Sequence, residues 1–518
     1  QMESTTPLHT AGKPSVSSQP VWAKVIDHTR CIGCHACTTA CKSENDVPLS
    51  VTRTYVKYVD VGFHPQTRRS FQVTRCNQCS HAPCVTACPT SAMYARSDGI
   101  IDFDKSICIG CKACMAACPY DAIFINPVDH SAEKCNFCAH RIDIGLEPAC
   151  VVVCPTEAIL VGDMTDPLSK VNQVVSRDAV TVRRPEKETL PKLYYKGADQ
   201  VTLDPLGASR PEGGLLMWSE QGNVPDQVHG GHPGPWNSSA AAVLSYDVVH
   251  RAPWDWRVSL YTWTKSVAAG VYLVPLLLAL TKAIPWTSTL WTLAPPILGL
   301  LFLAFTGALL IWDLEHPGRF YLIFTRPQWR SWLVRGGVII GAYGLVLLVH
   351  LLGAWNGSEA VATRLTWLGA PLAVMTAVYT AYLFAQAKAR DLWQNPLLPP
   401  HLTIQSLLAG AGVLSLVTWF WDRGLTENLV MWFVAGTVAH LLFIAGEVTL
   451  PHATAHAHLA VREMTHGRFS RWFWTGLTLS VVGLFSPWLG VGAVGVGLVG
   501  LAAFEHAYVQ AGQSVPIS

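Results

Sequence analysis

The sequence predicts an α+β domain at the N-terminal end, followed by an all-α polytopic membrane domain of about eight transmembrane helices. Two observations support this division. All 16 cysteines of the 518 residues lie between Cys31 and Cys154, and long apolar stretches dominate the chain from about residue 251. Charged residues make up only 14% of the chain. A chain of this length is also too long for one ordinary domain.

We expect four segments along the chain. Residues 1–20 are polar and lack the apolar core of a secretory signal, which predicts a flexible N-terminal tail. Residues 21–165 contain the cysteines and short alternating apolar segments typical of small strands. Residues 166–250 are rich in Pro, Gly, Ser and charge, which predicts an extended linker, with a free disordered segment as the alternative. Residues 251–518 form the membrane domain.

The cysteines fall into four runs of four, each with a spacing typical of iron–sulfur ligands. A C-x-x-C-x-x-C loop wraps three thiolates around one cubane cluster, and a fourth cysteine, often followed by proline, binds the neighbouring cluster. Four runs therefore predict four [4Fe-4S] clusters. Structural zinc and disulfides are the alternatives. Zinc sites favour pairs of Cys-x-x-Cys hairpins, and disulfide frameworks favour small secreted domains.

The spacing of the runs also predicts which cysteines share a cluster. Only 19 residues separate the second run from the third, the layout of a complete two-cluster ferredoxin, and the first and fourth runs flank that unit. We therefore predict a ferredoxin-like multi-cluster domain with exchanged fourth ligands. The predicted ligand sets are Cys76, Cys79, Cys84 and Cys118; Cys108, Cys111, Cys114 and Cys88; Cys31, Cys34, Cys37 and Cys154; and Cys135, Cys138, Cys150 and Cys41.

The cysteine segments resemble a known family. CIGCHACTTACKSENDVP, RCNQCSHAPCVTACPTSA, CIGCKACMAACPYDA and KCNFCAHRIDIGLEPACVVVCPTEAI are similar to the four-cluster electron-transfer subunits of molybdopterin oxidoreductases, a group that includes dimethyl sulfoxide and polysulfide reductases. The resemblance covers about residues 22–195. It implies a catalytic partner subunit that holds molybdenum or tungsten and the substrate site. It also implies that the extended linker, residues 166–250, is a contact segment for that partner. No basic run in the sequence indicates a nucleic-acid partner.

The second half of the chain contains eight apolar stretches near the length of about 20 residues that a membrane-spanning helix needs. Backbone polar groups in lipid must bond internally, so these stretches should be helices. SPWLGVG separates the last two and reads either as a tight turn between spans or as a break within one. The predicted spans lie near 260–281, 290–312, 332–353, 366–387, 402–421, 428–450, 472–487 and 488–507.

A second resemblance covers about residues 252–518. WDLEHPGRFYLIFTRPQWRSWLVRG, YTAYLFAQAKARDLWQNPLLPP and AGQSVPIS are similar to segments of the NrfD/PsrC family of quinone-interacting membrane subunits. The resemblance implies a quinone or quinol as exchangeable substrate and no haem. In most relatives the iron–sulfur and membrane subunits are separate chains. The family often has Gly-Arg where this chain has Glu315 and His316.

Ionisable residues inside membrane spans are functional candidates, because burying them in lipid is costly. Lys265, Asp313, Tyr379 and Tyr382 lie toward the cluster-side ends of their spans, and we predict that they form a quinone site. The alternatives are snorkelling of Lys265 to the interface, interfacial roles for the tyrosines, and simple pairing of Asp313 with Arg319.

A possible proton path is predicted deeper in the membrane domain. His440 and Glu447 lie seven residues apart in the sixth span and so share a helix face. With His350 they form a candidate path to the quinone or across the membrane. A satisfied interhelical histidine is the alternative for His440, and haem ligation by His350 and His440 is disfavoured by the haem-free resemblance.

The function that these features predict is an electron-transfer and membrane-anchor subunit. It carries electrons through four clusters between a molybdopterin catalytic subunit and the membrane quinone/quinol pool, in either direction. A redox-driven proton-translocating module and a passive anchor that passes electrons to a separate cytochrome are the alternatives. Lys and Arg are more frequent in loops on the cluster side, which predicts a cytoplasmic cluster domain on the inner membrane of a prokaryote. The periplasmic side stays open, because the same arginines can dock the cluster domain.

Overall fold

The structure is a computed structural model that describes residues 19–62, 65–209 and 242–518. The predicted N-terminal tail, apart from its last two residues, and residues 210–241 of the predicted linker lie outside the described residues. Short strands and short helices make up the chain as far as Tyr246, and only helices follow from Trp256. The predicted fold class, an iron–sulfur α+β domain followed by an all-α polytopic membrane domain, is confirmed.

The cluster domain contains two sheets and two separate hairpins. The strands among the described residues are β1 Trp22–Asp27, β2 Thr54–Val61, β3 Arg68–Arg75, β4 Met93–Ala95, β5 Ile101–Phe103, β6 Ile123–Ile125, β7 Ala132–Lys134, β8 Ile159–Asp163, β9 Val180–Thr181, β10 Leu193–Lys196 and β11 Ala242–Tyr246. One sheet has the order β8-β1-β10-β9, the other has the order β11-β2-β3, and the hairpins are β4-β5 and β6-β7.

Short helices in the cluster domain carry many of the later cysteines of each run. Cys37 and Cys41 lie in the first helix, and Cys84, Cys114 and Cys150 lie in later ones. The two hairpins separate the second, third and fourth runs, so the cysteine loops stand on a frame of short elements. The helices are α1 Ala36–Glu44, α2 Pro83–Ala87, α3 Ala113–Ala117, α4 Ala139–Ile142, α5 Ala149–Val152, α6 Lys170–Arg177 and α7 Gln200–Leu203, with a 3₁₀ turn at Pro185–Lys187.

The structure differs from the predicted linker between residues 166 and 250. β10 pairs in parallel with β1, and β11 pairs antiparallel with β2, so the described parts of this segment belong to the sheets of the cluster domain. The physical reason is that β1 and β2 each need a second hydrogen-bonding neighbour. The Pro-rich and charged composition around these strands hid the short segments LYYK and AVLSY that provide it.

The membrane domain contains seven helices that are long and apolar enough to cross a bilayer. They coincide with the first six predicted spans and the last one. The helices are α8 Trp256–Leu280, α9 Thr289–Thr292, α10 Ala294–Trp312, α11 Leu322–Thr325, α12 Trp332–Trp355, α13 Glu359–Gln386, α14 Leu398–Thr418, α15 Arg423–Thr449, α16 Ala455–Thr465, α17 Ser470–Leu484, α18 Ser486–Leu489 and α19 Val491–Ser514, with 3₁₀ turns at Pro317–Arg319 and Asp391–Gln394.

The seventh predicted span is α17, a helix of 15 residues that pairs with α19 as an antiparallel hairpin. Small residues let the two backbones approach closely, as in other membrane helix pairs. A Cβ atom on Gly500 would lie 2.7 Å from the backbone nitrogen of Ser480, and one on Gly476 would lie 2.7 Å from that of Phe504. SPWLGVG is therefore a tight turn. α8 begins and α19 ends beside the cluster domain, so the number of crossings is even, and α17 makes the eighth.

The two domains share one apolar core at the cluster-side face of the membrane helices. Ile109, Cys111 and Ala116 of the third cysteine run pack there with Trp254 and Tyr379 of the membrane half. The last residues of the sequence, 513–518, complete the junction. Arg390 Nη1 donates to the carbonyl oxygens of Gln513 and Val515 at 2.8 and 3.2 Å, and the hydroxyls of Tyr55 and Ser518 hydrogen-bond at 2.5 Å.

Candidate functional site

One predicted ligand set surrounds a cavity next to the membrane domain. The cavity is lined by Cys108, Cys111 and Cys114 of the third run together with Cys88 of the second. All 16 cysteine thiols of the chain are free. Three thiols from one loop and a fourth from the neighbouring run are the donor set that a cubane cluster takes, so these residues fit a [4Fe-4S] cluster.

The cluster loop of the third run needs glycine for its curl. Gly110, in the C-I-G-C segment, has a φ of 68°, a left-handed conformation that favours glycine. The loop is also pressed against the membrane half, because a Cβ atom on Gly110 would lie only 2.4 Å from the Cβ atom of Glu315. The same residue thus permits the ligand loop and its close contact with the segment that follows α10.

The other predicted sets also come together in the structure. Cys118 packs in one buried cluster with Cys79 and Cys84. Cys154 packs with Cys31 and Cys37 in another. Asn45 Nδ2 lies 3.8 Å from the Cys41 sulfur and 3.7 Å from that of Cys138, so these two cysteines are also neighbours. Pairing the second run with the third and the first with the fourth is therefore compatible with the fold.

Electrostatic interactions between cysteines of different sets indicate the order of the four sites. Cys37 interacts with Cys150, Cys76 interacts with Cys135, and Cys114 interacts with Cys84. The order is therefore the set of Cys31, the set of Cys135, the set of Cys76 and finally the set of Cys108 beside the membrane domain. At the far end Cys34 is exposed, whereas the four cysteines nearest the membrane domain are all buried.

Arg75 is a buried cation between the two sites most distant from the membrane. Its Nη1 donates to the sulfur of Cys150 at 3.0 Å. The Nε and Nη2 atoms have no hydrogen-bond partner among the described residues. Burial raises the pKa of the Cys150 thiol, but Arg75 and Lys24 outweigh burial and hold that pKa below its usual value. The charge of Arg75 thus stabilises the thiolate form of this ligand.

Backbone carbonyls of the third run anchor the membrane half to its cluster loop. The Nε1 atom of Trp254 donates to the carbonyl oxygen of Cys111 at 3.1 Å, and Arg319 donates to that of Cys108 at 2.9 Å. Trp254 stacks on Phe384 and Trp393, with ring centroids 6.0 and 5.6 Å away. An aromatic group therefore extends from the cluster loop into the helix bundle.

Asp313 lies where the second span meets the cluster loop, and it is buried. Lys112 of the third run donates to the Asp313 carbonyl oxygen at 3.0 Å and approaches its Oδ1 atom at 3.4 Å. Burial raises the pKa of Asp313 to about 6, although Lys112 and Arg257 act in the opposite direction. Arg319, the partner considered from the sequence, instead donates to cluster-domain carbonyls. Asp313 thus connects the two domains, and burial favours the protonated form of its carboxyl group.

Lys265 and Tyr379 lie together inside the helix bundle. The Lys265 ammonium donates to the carbonyl oxygen of Ala377 at 2.6 Å and lies 5.2 Å from the centre of the Tyr379 ring. It is fully buried about 13 Å along α8 from its first residue, so it does not snorkel to the interface. Tyr382 points elsewhere, because its ring stacks on Trp332 at 4.5 Å and is 39% exposed.

A second polar group lies between α14, α15 and α19. His401 Nδ1 hydrogen-bonds with Glu447 Oε1 at 3.1 Å, and His401 Nε2 hydrogen-bonds with His440 Nδ1 at 2.8 Å. Nearby, Thr262 donates to Glu505 Oε2 at 2.8 Å. All five side chains are buried.

His350 is not part of this group. It is buried in the half of the membrane domain away from the clusters, with its ring 5.2 Å from Trp291 and 6.2 Å from Tyr272. The rings that lie beside His440 are those of His401 and Phe504, each with its centroid 5.0 Å away. The structure therefore separates His350 from the two residues with which the sequence analysis grouped it.

Comparison with known proteins covers both halves of the chain. Residues 67–164 match the family described as 4Fe-4S dicluster domain, and residues 246–494 match the family described as polysulphide reductase, NrfD. The B subunit of tetrathionate reductase from Salmonella typhimurium is 41% identical over 208 residues, which are 38% of this chain and 80% of the relative. The B subunit of polysulfide reductase from Wolinella succinogenes is 44% identical over 176 residues, 33% of this chain and 92% of the relative.

The chain belongs to this family of iron–sulfur subunits, fused to an NrfD-type membrane domain. Protein NrfC of Escherichia coli is also similar, with 40% identity over 176 residues, 33% of this chain and 79% of that protein. These matches confirm the two resemblances seen in the sequence. They support 4Fe-4S clusters in the N-terminal half and an oxidoreductase complex in which the fused subunit has a catalytic partner.

Two buried residues of the NrfD-type domain were missed from the sequence. His401 lies just before the fifth predicted span, and Glu505 lies within the last predicted span, in the segment LAAFEHAY. The rule that ionisable residues in spans are functional candidates applies to Glu505 as it does to Lys265 and Glu447. His401 escaped it because the predicted span begins one residue later, whereas the helix begins at Leu398. Nothing in the spacing of the sequence indicates that His401 lies between Glu447 and His440, because the contact joins different helices.

Proposed function

We propose that the fused subunit carries electrons through four [4Fe-4S] clusters between a molybdopterin catalytic subunit and the membrane quinone/quinol pool. The observation that carries this proposal is the position of the third cysteine run. Its loop packs directly on the cluster-side ends of the membrane helices, and Trp254 and Tyr379 belong to the same apolar core as Cys111. One end of the line of cysteine sites is thus next to the predicted quinone residues.

The cysteines would hold the clusters in the four sets predicted from the sequence. When bound, such clusters supply one-electron transfer. The residues around them exclude water at the membrane end, where all four cysteines are buried, and leave Cys34 exposed at the opposite end. We propose that the exposed end faces the catalytic subunit, a role supported by the reductase names of the relatives.

We propose Lys265 and Tyr379 as the hydrogen-bonding groups of the quinone site, with Asp313 as the charged group at its mouth. Reduction of a quinone takes two electrons and two protons, so its carbonyl oxygens need donors that can also exchange protons. A lysine ammonium has three N–H donors, and Lys265 uses one for Ala377. Tyr379 adds a hydroxyl on the same side of the bundle. Tyr382, stacked on Trp332, contributes at most to the rim.

The proposed location is the inner membrane of a prokaryote, with the cluster domain on the cytoplasmic side. Accessibility labelling tests this orientation, because the exposed Cys34 should react with an impermeant thiol reagent only from the cluster side once iron has been removed. Labelling in inside-out vesicles but not in intact cells supports the cytoplasmic side. The reverse result places the cluster domain in the periplasm.

The experiment that tests the function is a redox titration of the purified membrane complex by EPR, with and without a quinol-site inhibitor. We expect four clusters, and we expect quinol to reduce the one nearest the membrane unless the inhibitor is present. Lys265→Ala should abolish that reduction. Lys282→Ala should not, because Lys282 follows the end of α8 that lies away from the clusters. If quinol reduces none of the four clusters, the result would contradict the quinone link and favour a passive anchor.

A further inference from the structure

Several buried polar residues of the membrane domain border one cavity on the cluster side. A cavity between α8, α14 and α19 is lined by four polar side chains and by apolar and aromatic ones. The polar residues are Thr262, His401, Gln405 and Glu505, and the others are Phe384, Leu398, Leu402, Phe504, Tyr508 and Val509. Glu505 Oε1 and Gln405 Oε1 have no hydrogen-bond partner among the residues that the structure describes. A cavity with several unpaired polar groups is the kind that holds water inside proteins.

Glu505 connects this cavity with the proposed quinone site. It accepts a hydrogen bond from Thr262, and Thr262 and Lys265 are three residues apart and so share a face of α8. The Glu505 carboxylate and the Lys265 ammonium interact electrostatically. Because Lys265 lies over the Tyr379 ring, the proposed quinone site and the cavity are neighbours.

His401 connects the same cavity with the cluster side. With Glu447 ionised, His401 Nδ1 donates to Glu447 Oε1, and His401 Nε2 accepts a hydrogen bond from His440 Nδ1. A proton that arrives at one ring nitrogen of His401 can therefore leave from the other. Glu447 is only one turn from the cluster-side end of α15 at Thr449, about 10 Å above His440.

The opposite direction is packed with apolar side chains. Beyond Lys265, α8 buries Val267, Ala268, Val271 and Val274, which all belong to the second apolar core. His350, the far-side histidine, lies in aromatic surroundings apart from the polar group. In this direction the Tyr343 hydroxyl donates to the carbonyl oxygen of Ala268, whereas His401 hydrogen-bonds with Glu447 on the cluster side.

From this arrangement we infer that Glu505, His401 and Glu447 form a proton relay between the quinone site and the aqueous phase on the cluster side. The inference rests on the proposed function. Each quinol that is oxidised releases two protons as two electrons pass to the iron–sulfur sites, and reduction takes up the same number. Both protons would be exchanged on the cluster side, without passing through the far half of the membrane domain.

The test uses the purified complex in liposomes, with short-chain ubiquinol and menaquinol analogues as donors and stopped-flow detection of cluster reduction. Glu447→Gln and His401→Gln should each slow cluster reduction at least tenfold, the range of a lost proton-transfer group, with the quinol concentration dependence unchanged. Glu447→Asp should retain most of the rate, and added imidazole should restore part of it in His401→Gln. A pH dye should report proton release on the cluster side only.

Two matched variants control for charge and packing. Glu427→Gln removes an exposed carboxylate at the far end of the same helix as Glu447, and His506→Gln removes a histidine that contacts Trp472. Both should react as the wild type does. Rates within twofold of wild type in folded Glu447→Gln and His401→Gln, or protons on the far side, would overturn the relay. A wild-type complex that neither quinol reduces would instead refute the proposed function.

Discussion

Replacing Arg75 should lower the reduction potential of an iron–sulfur site far from the membrane. The guanidinium is buried, donates to the Cys150 sulfur at 3.0 Å, and has two further nitrogens without partners among the described residues. Reduction adds a negative charge to the site. A fixed positive charge at this distance therefore stabilises the reduced form, and its removal in Arg75→Gln takes that stabilisation away.

The size of the effect follows from Coulomb's law. Two unit charges about 6 Å apart in a medium with an effective dielectric constant of about 20 interact by about 3 kcal/mol. For a one-electron couple a tenfold change in the equilibrium constant, about 1.4 kcal/mol, corresponds to about 59 mV. We therefore expect the potential to fall by on the order of 100 mV. Arg75→Lys keeps the charge and should shift the potential by less than half as much.

The measurement is an EPR-monitored redox titration of the complex, with iron content determined in the same samples. Arg69→Gln is the matched control, because Arg69 lies on the same strand, β3, but pairs with Asp60 at the surface. The site of Cys135, Cys138, Cys150 and Cys41 should shift most, and the site beside the membrane should not shift. A potential within about 20 mV of wild type, with full iron content, would refute this account of Arg75.

Three further predictions concern ligands, pH and the domain junction. Cys118→Ser should remove or alter the cluster of the second run and leave the quinol-responsive cluster beside the membrane intact. Iron analysis together with EPR measures both clusters. Loss of the quinol-responsive signal would contradict the exchange of fourth ligands. The carboxylates of Asp247 and Asp121 outweigh burial and raise the pKa of His250 to about 9. The stability that this ion pairing contributes, up to about 3 kcal/mol, should be complete below about pH 6.5 and lost as the pH rises through 9. Thermal unfolding midpoints from pH 6 to 10 should fall less in His250→Gln, and equal slopes would contradict the assignment. Deleting residues 515–518 removes several interdomain hydrogen bonds at about 1 kcal/mol each, and should make the cluster domain more sensitive to proteolysis while leaving iron content unchanged. Unaltered proteolysis would show that the remaining contacts suffice.

The local pattern of the sequence was enough to predict the fold class and to divide the cysteines into four runs. Thiol spacing within one loop and the length of an apolar helix are both short-range properties, so each can be read without knowing the fold. The same holds for Lys265, because a charged residue inside an apolar stretch can be recognised as a functional candidate from the sequence alone. The exchange between Cys118 and the second run stays a prediction; its basis is also local, because the two runs are close in sequence.

Other features depend on contacts between distant parts of the chain. Asp313 meets Lys112 across about 200 residues, and His401 meets Glu447 from a different helix. The strands that complete the cluster-domain sheets were hidden, because their composition resembles a linker and their partners precede them by well over 100 residues. The sequence alone determines side-chain chemistry and the local spacing of apolar residues. The packing of helices and loops determines which charged residues lie together in a buried space.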